Sequence, residues 1–192
     1  MTDVILETGP TWVWASAADH PGWCRRGKGE EAALEELLAY ADRYAEVVGR
    51  LTPGKLKVVA RLEGPKLNDF APSVAAPGEE ATPAKAHLVA LDACWDHFDR
   101  VVETASEQLR KGPRGGGRDR DEIVEHVREA ERSYGRKTGV RVPPRTPWPE
   151  QRAALREALV AGAGPWLPRY AVRRIAWHVL DHAWEVEDKD LS

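Results

Sequence analysis

Two histidines four residues apart, His178 and His182, lie in the stretch RRIAWHVLDHAWEVED near the C-terminal end of the chain. On an α-helix, positions i and i+4 differ by roughly 40° in azimuth and about 6 Å along the axis, so both imidazoles point the same way and can share one metal ion. A third candidate ligand, His126, lies in DEIVEHVREAE, beside the apolar positions Ile123, Val127 and Ala130. Three imidazoles on two helices leave coordination positions open, the arrangement of a catalytic rather than a structural metal site. A divalent ion held this way acidifies a bound thiol or water, for attack on an electrophilic carbon or for hydrolysis of an ester or amide. The pattern is not His-Glu-x-x-His, because Val179 follows His178. Neutral histidines hydrogen-bonded inside a core account for the same letters, and the spacing of the pair leaves both readings open.

Other residues are candidates for supporting roles. Glu185 lies one turn beyond His182 and is the candidate catalytic residue, as a base, a further ligand or a partner of a ligand. Asp181, at the edge of the same face, can orient a histidine of a neighbouring element through its ring N–H. In KGPRGGGRDR, the cations Lys111, Arg114, Arg118 and Arg120 cluster before a helix N-terminus. Arg114 and Arg118 are the candidates there for holding a carboxylate or phosphate of a cofactor. No Gly-Lys-Ser/Thr follows, so this is no P-loop, and a solvated loop between helices is the plainer reading. Arg173 and Arg174 either flank a pocket or face water. Cys94, next to Trp95, reads as a small packed residue, since no base is spaced to activate it. His87 and His97 read as surface or rim residues, and His20 as a loop residue without an evident partner.

The elements that must position these groups are mostly helical. In residues 84–110, Leu88, Leu91, Trp95, Phe98, Val102, Ala105 and Leu109 step by three and four, which predicts a long amphipathic helix. Asp119-x-x-Glu122 predicts the capped start of a second helix reaching about Lys137. The prolines of TGVRVPPRTPWPE forbid helix, and a third is predicted over 150–161 and a fourth over 169–187. Upstream the character differs. DVILE and WVWAS predict a hairpin, PGWCRRGKG a loop, 30–48 a single helix and LKVVARLEG a third strand. The expected organisation is a small ββαβ module over 1–65, a proline-rich linker over 66–83 and a four-helix bundle over 84–192, a mainly α fold. Trp177 and Trp184, seven apart, share a face turned away from the histidines and are expected to pack against a neighbouring element.

Composition narrows the function classes. The chain has 192 residues, net charge −3 and only two cysteines. With a pI of about 6.1, no general attraction to nucleic acid or an anionic membrane is expected. No apolar run approaches the ~20 residues that span a bilayer, and MTDVILETGP does not read as a signal peptide. Both cysteines are read as reduced thiols in a cytoplasmic protein. Eight tryptophans against two phenylalanines supply rings able to line a pocket as well as fill a core.

One histidine in the second helix of a bundle and an HxxxH pair in the fourth resemble the DinB/YfiT-like superfamily of metalloenzymes, over roughly residues 80–190. The resemblance implies a divalent metal, zinc or nickel, held by His126, His178 and His182. It also implies a small-molecule substrate, a low-molecular-weight thiol such as mycothiol as cosubstrate, and a homodimer as the assembly related bundles adopt. The stretch WASAADHPGWCRRGKGEEAALEELLAY resembles a HicB-like module, which implies a small α/β fold and, in antitoxins, association with a partner; no DNA-binding segment is visible. Two functions follow as expectations: a metal-dependent transferase or hydrolase, or a non-catalytic metal-binding or regulatory protein with an antitoxin-like N-terminal module.

Overall fold

A computed structural model describes residues 1–49, 51–66, 72–113 and 115–191. The expected hairpin forms from β1, Thr2–Thr8, and β2, Val13–Ala17, paired antiparallel. The segment expected as a loop supplies a further strand, β3, Cys24–Gly27, antiparallel to β2. At four residues with two arginines it carries no apolar alternation, and it forms because β2 offers a free edge. A Cβ on Gly27 would meet the Ala32 carbonyl carbon at 2.3 Å, so glycine is what lets the next helix lie this close to the strand.

The single helix expected over 30–48 is two, α1, Glu30–Ala39, and α2, Ala41–Val48. Tyr40 breaks it at φ −92°, ψ 5°, the bridge conformation. The bend gives the Tyr40 ring to the Arg25 guanidinium, 3.9 Å away. It also turns Tyr44 inward, where its hydroxyl donates to the Pro21 carbonyl at 2.9 Å and its ring stacks on Trp23. The chain returns as β4, Leu56–Glu63, parallel to β1. The sheet order is therefore β3-β2-β1-β4, mixed in direction.

Of the expected linker, residues 72–83 lie against both halves of the molecule. Ser73 donates to the Glu7 carboxylate on β1 through its backbone N–H, at 3.0 Å, and through its hydroxyl. Glu79 accepts from buried Arg173 at 2.6 and 2.9 Å.

Four longer helices follow: α3, Lys85–Thr104; α4, Arg120–Thr138; α5, Trp148–Ala161; and α6, Pro168–Lys189. The predicted cap of α4 forms, with the Asp119 N–H donating to Glu122 at 2.9 Å. Gly139 and Gly162 end α4 and α5 in the left-handed conformation, where a Cβ is disfavoured. Buried Glu131 of α4 ties three helices together, accepting from the indoles of Trp95 on α3 (2.7 Å) and Trp148 on α5 (2.6 Å), with Arg152 beside it. The helix α6 lies at the centre, packed on α3, α4 and α5. Thirteen of its residues are buried, because its other side faces the sheet and the break between α1 and α2: Trp177 meets Trp14 edge-on at 5.4 Å, and Trp184 meets Tyr40 at 5.2 Å.

One hydrophobic core runs through both halves, from Leu6 and Ala15 in the sheet to Leu37, Phe98, Ile123, Leu155 and Ile175 in the helices. Among the described residues the architecture is thus α-rich and mixed α/β, six helices with a four-stranded sheet, and not a pure four-helix bundle. No helix among the described residues is long and apolar enough to cross a membrane.

Candidate metal centre

The histidines are brought together by the packing of α4 on α6. Ile123 and Val127 of α4 and Ile175 and Val179 of α6 are fully buried or nearly so, and fix the two helices against each other. His126 precedes Val127 by one residue and so leaves the seam at its edge, where His178 and His182 emerge from α6. His126 Nε2 and His178 Nε2 are 3.3 Å apart. The ring centroid of His182 lies 4.9 Å from that of His126 and 4.7 Å from that of His178. One ligand nitrogen from each of the three lies within 4.8 Å of the other two.

The donor set fits a divalent ion. Two nitrogens each about 2.05 Å from a tetrahedral zinc are about 3.3 Å apart, the separation of the His126–His178 pair. His182 Nδ1 lies 2.8 Å from Glu185 Oε2. An ionised carboxylate only accepts, so Nδ1 carries the proton and Nε2 keeps its lone pair for an ion. Glu185 also accepts from Lys189 at 2.5 Å, and the hydrogen bond with His182 is the first reason its carboxyl is held down at about 2. Burial, then the proximity of His182 and of the neighbouring Arg174, pushes His178 well below the usual imidazole range. Burial, His182 and Arg118 likewise lower His126. Both are therefore neutral near pH 7, the form that binds metal.

The trio opens on a cavity of about 420 Å³. Trp14 of β2, Trp177 of α6 and Tyr134 of α4 form its aromatic walls. Arg25 and Arg26 of β3, Arg118 before α4, and Arg174 and Asp181 of α6 supply its charges. Asp181 pairs with Arg25 at 3.1 Å, so the partner it orients is an arginine of the sheet rather than a histidine. Trp177 packs against the sheet as expected, and it also lines the cavity beside His178.

Arg118 lines the cavity, whereas Arg114 lies outside the described residues. Lys111 and Arg120 are paired locally, with Asp119 at 2.7 Å and Asp121 at 2.9 Å. Arg173 is buried on Glu79, while its neighbour Arg174 borders the cavity and donates to the Pro72 carbonyl at 2.8 Å. His87, expected at the surface or rim, is buried, with Asp19 at 3.4 Å, whereas His97 is half-buried at the rim, with Glu187 at 3.0 Å. His20, read as lacking a partner, sits edge-on to Trp23 and Tyr44. Cys94 is fully buried, and that burial pushes its thiol far up; Cys24 is likewise pushed up to about 12.

Sequence reading missed Arg25, Arg26, Trp14 and Tyr134 as lining residues. Tyr134 was within reach of it, because His126, Ala130 and Tyr134 step by four along one face of α4. The two arginines carried no such signal, since their strand was not recognised and their approach to α6 is long-range. Comparison with protein-family models, with curated proteins and with solved structures gives no match for this chain.

Proposed function

We propose that the chain is a divalent-metal-dependent enzyme of the DinB-like type, its α3–α6 helices corresponding to that family's four-helix bundle. The observation that carries this reading is the convergence of His126, His178 and His182 on one wall of the cavity. The three imidazoles would hold a divalent ion, zinc or nickel as the DinB-like resemblance implies, with positions left open. A bound ion supplies a Lewis acid that lowers the pKa of a coordinated thiol or water. The chain's own residues do the rest. Glu185 fixes the ring and tautomer of His182, which makes it a positioning residue. Trp14, Trp177 and Tyr134 limit the water beside the reacting atoms, and the arginines orient an approaching molecule. A low-molecular-weight thiol such as mycothiol is the proposed nucleophile for transfer to an electrophilic substrate.

Metal analysis on the purified protein tests this. About one equivalent of zinc, nickel, iron or manganese is expected, or stoichiometric uptake of added zinc. Replacing any one of the three histidines by alanine should weaken uptake strongly. A wild-type protein that neither carries nor takes up any of these ions overturns the reading. Thermal shift with mycothiol, bacillithiol and glutathione on the zinc-loaded protein tests the thiol, and no stabilisation by any of them removes that part.

A further inference from the structure

The charges around the cavity do not balance. Four arginines line it, and Asp181 is the lone carboxylate among its lining residues. Asp181 is already paired with Arg25, at 3.1 Å. Arg26, Arg118 and Arg174 have no carboxylate partner among the described residues. Arg26 is braced over the rings of Trp12, at 4.7 Å, and Trp14, at 5.3 Å. Arg174 is held by the Pro72 carbonyl and by the Trp177 ring, 5.0 Å away. The two are thus positioned by neutral groups that leave their charge uncompensated. Three like charges from three separate elements, the strand β3, the turn before α4 and the helix α6, surround one space beside the histidines. Arg26 and Arg118 are exposed and Arg174 is half-buried, so water screens their repulsion, and what the cluster leaves is a positive potential over the cavity that favours an anion.

We infer that the cavity binds a small organic anion of about two negative charges that also carries a flat apolar part. Guanidinium groups recognise carboxylates and phosphates through paired N–H donors, and rings such as Trp14, Trp177 and Tyr134 take a planar body by stacking. A single negative charge would answer one of the three arginines and leave two. A nucleic acid or a membrane surface is a poor fit, since the charges line a concave space of about 420 Å³ in a chain of net charge −3. The inference rests on the reading above only in placing this anion next to the histidine trio.

Isothermal titration calorimetry on the full chain, zinc-loaded and chelator-stripped, tests it with phthalate, phenyl phosphate and the neutral phthalamide. One of the dianions should bind at least tenfold more tightly than phthalamide, and which of them does so separates a dicarboxylate from a phosphate ester. Arg118→Ala and Arg174→Ala should each weaken that binding about tenfold or more, while metal content stays at the wild-type level. Arg174→Lys, which keeps the charge, should recover part of the loss and guards against a folding defect at that position. Equal binding of dianion and phthalamide, no binding of either dianion, or arginine variants within twofold of wild type overturns the inference. Arginine-dependent binding in a protein that takes up no metal upholds the anion site and defeats the metal reading. Stoichiometric metal without dianion binding does the reverse.

Discussion

Removing the carboxylate of Glu185 tests whether the histidine trio is a metal centre, because it alters no ligand. Glu185 Oε2 accepts from His182 Nδ1 at 2.8 Å and thereby leaves Nε2 as the free donor atom. Partners of this kind fix ring orientation and raise ligand basicity, and their loss costs about 10–100-fold in metal affinity, or about 1.4–2.7 kcal/mol. Glu185→Gln keeps an oxygen that can accept from Nδ1 but loses the charge, so the lower end, about tenfold, is expected. Glu185→Ala removes both and should approach the upper end. The fold should survive either change, because the pair broken with Lys189 is partly exposed and pairs of this kind contribute about 0–1 kcal/mol. The assay is zinc affinity by competition with a chromophoric chelator, beside His182→Ala as the reference for losing a ligand. Zinc affinities of both Glu185 variants within twofold of wild type, with His182→Ala strongly impaired, would refute the positioning role. An unimpaired His182→Ala would refute the ligand assignment itself.

Further expectations concern the rest of the molecule. Burial pushes Glu187 upward, but His97, 3.0 Å away, and a hydrogen bond from Arg43 outweigh it and hold its carboxyl below its ordinary 4.5. The stability this contributes is fully present above about pH 4.5 and is lost as the pH falls through the depressed value. Glu187→Gln should therefore flatten the fall in melting temperature between pH 6 and 3, and an unchanged pH slope would count against it. Leu180 is fully buried in the core, where α6 meets Gly22. Leu180→Ala should cost about 2–5 kcal/mol in urea unfolding, and a loss below 1 kcal/mol would mean that α6 is not the central helix. Cys24 and Cys94 are buried with raised thiol pKa values, so a chromogenic disulfide reagent should label neither at pH 8 until denaturant is added. Rapid labelling of the native protein would contradict that packing.

Much of the helical half was legible because its signals are local. The steps of Leu88, Leu91, Trp95 and Phe98, the Asp119–Glu122 cap and the prolines before α5 each act within a turn or two. The N-terminal half was legible only in part. Periodicity ran unbroken through Tyr40, yet the helix breaks there, because Arg25, Trp184 and Trp23 offer contacts that a straight helix cannot reach. The strand β3 has no intrinsic signal and exists through its pairing with β2. The burial of His87 was missed for a similar reason: Asp19, which lies beside it, belongs to another part of the chain.

By itself the sequence determined that His178 and His182 share a face, since a helix sets that by its pitch, and that His126 lies next to an apolar stripe. Whether the three meet was decided by the α4–α6 packing, which depends on how the buried side chains of Ile123, Val127, Ile175 and Val179 fit together. The arginine-lined cavity was decided still later in the hierarchy. Arg25 and Arg26 reach the site only because the sheet closes over α6 through Trp14 and Trp177, more than 150 residues apart in the chain. Helical pitch is a property of neighbours, and a pocket is a property of surfaces that meet, so the ligands were readable in one dimension and their surroundings only in three.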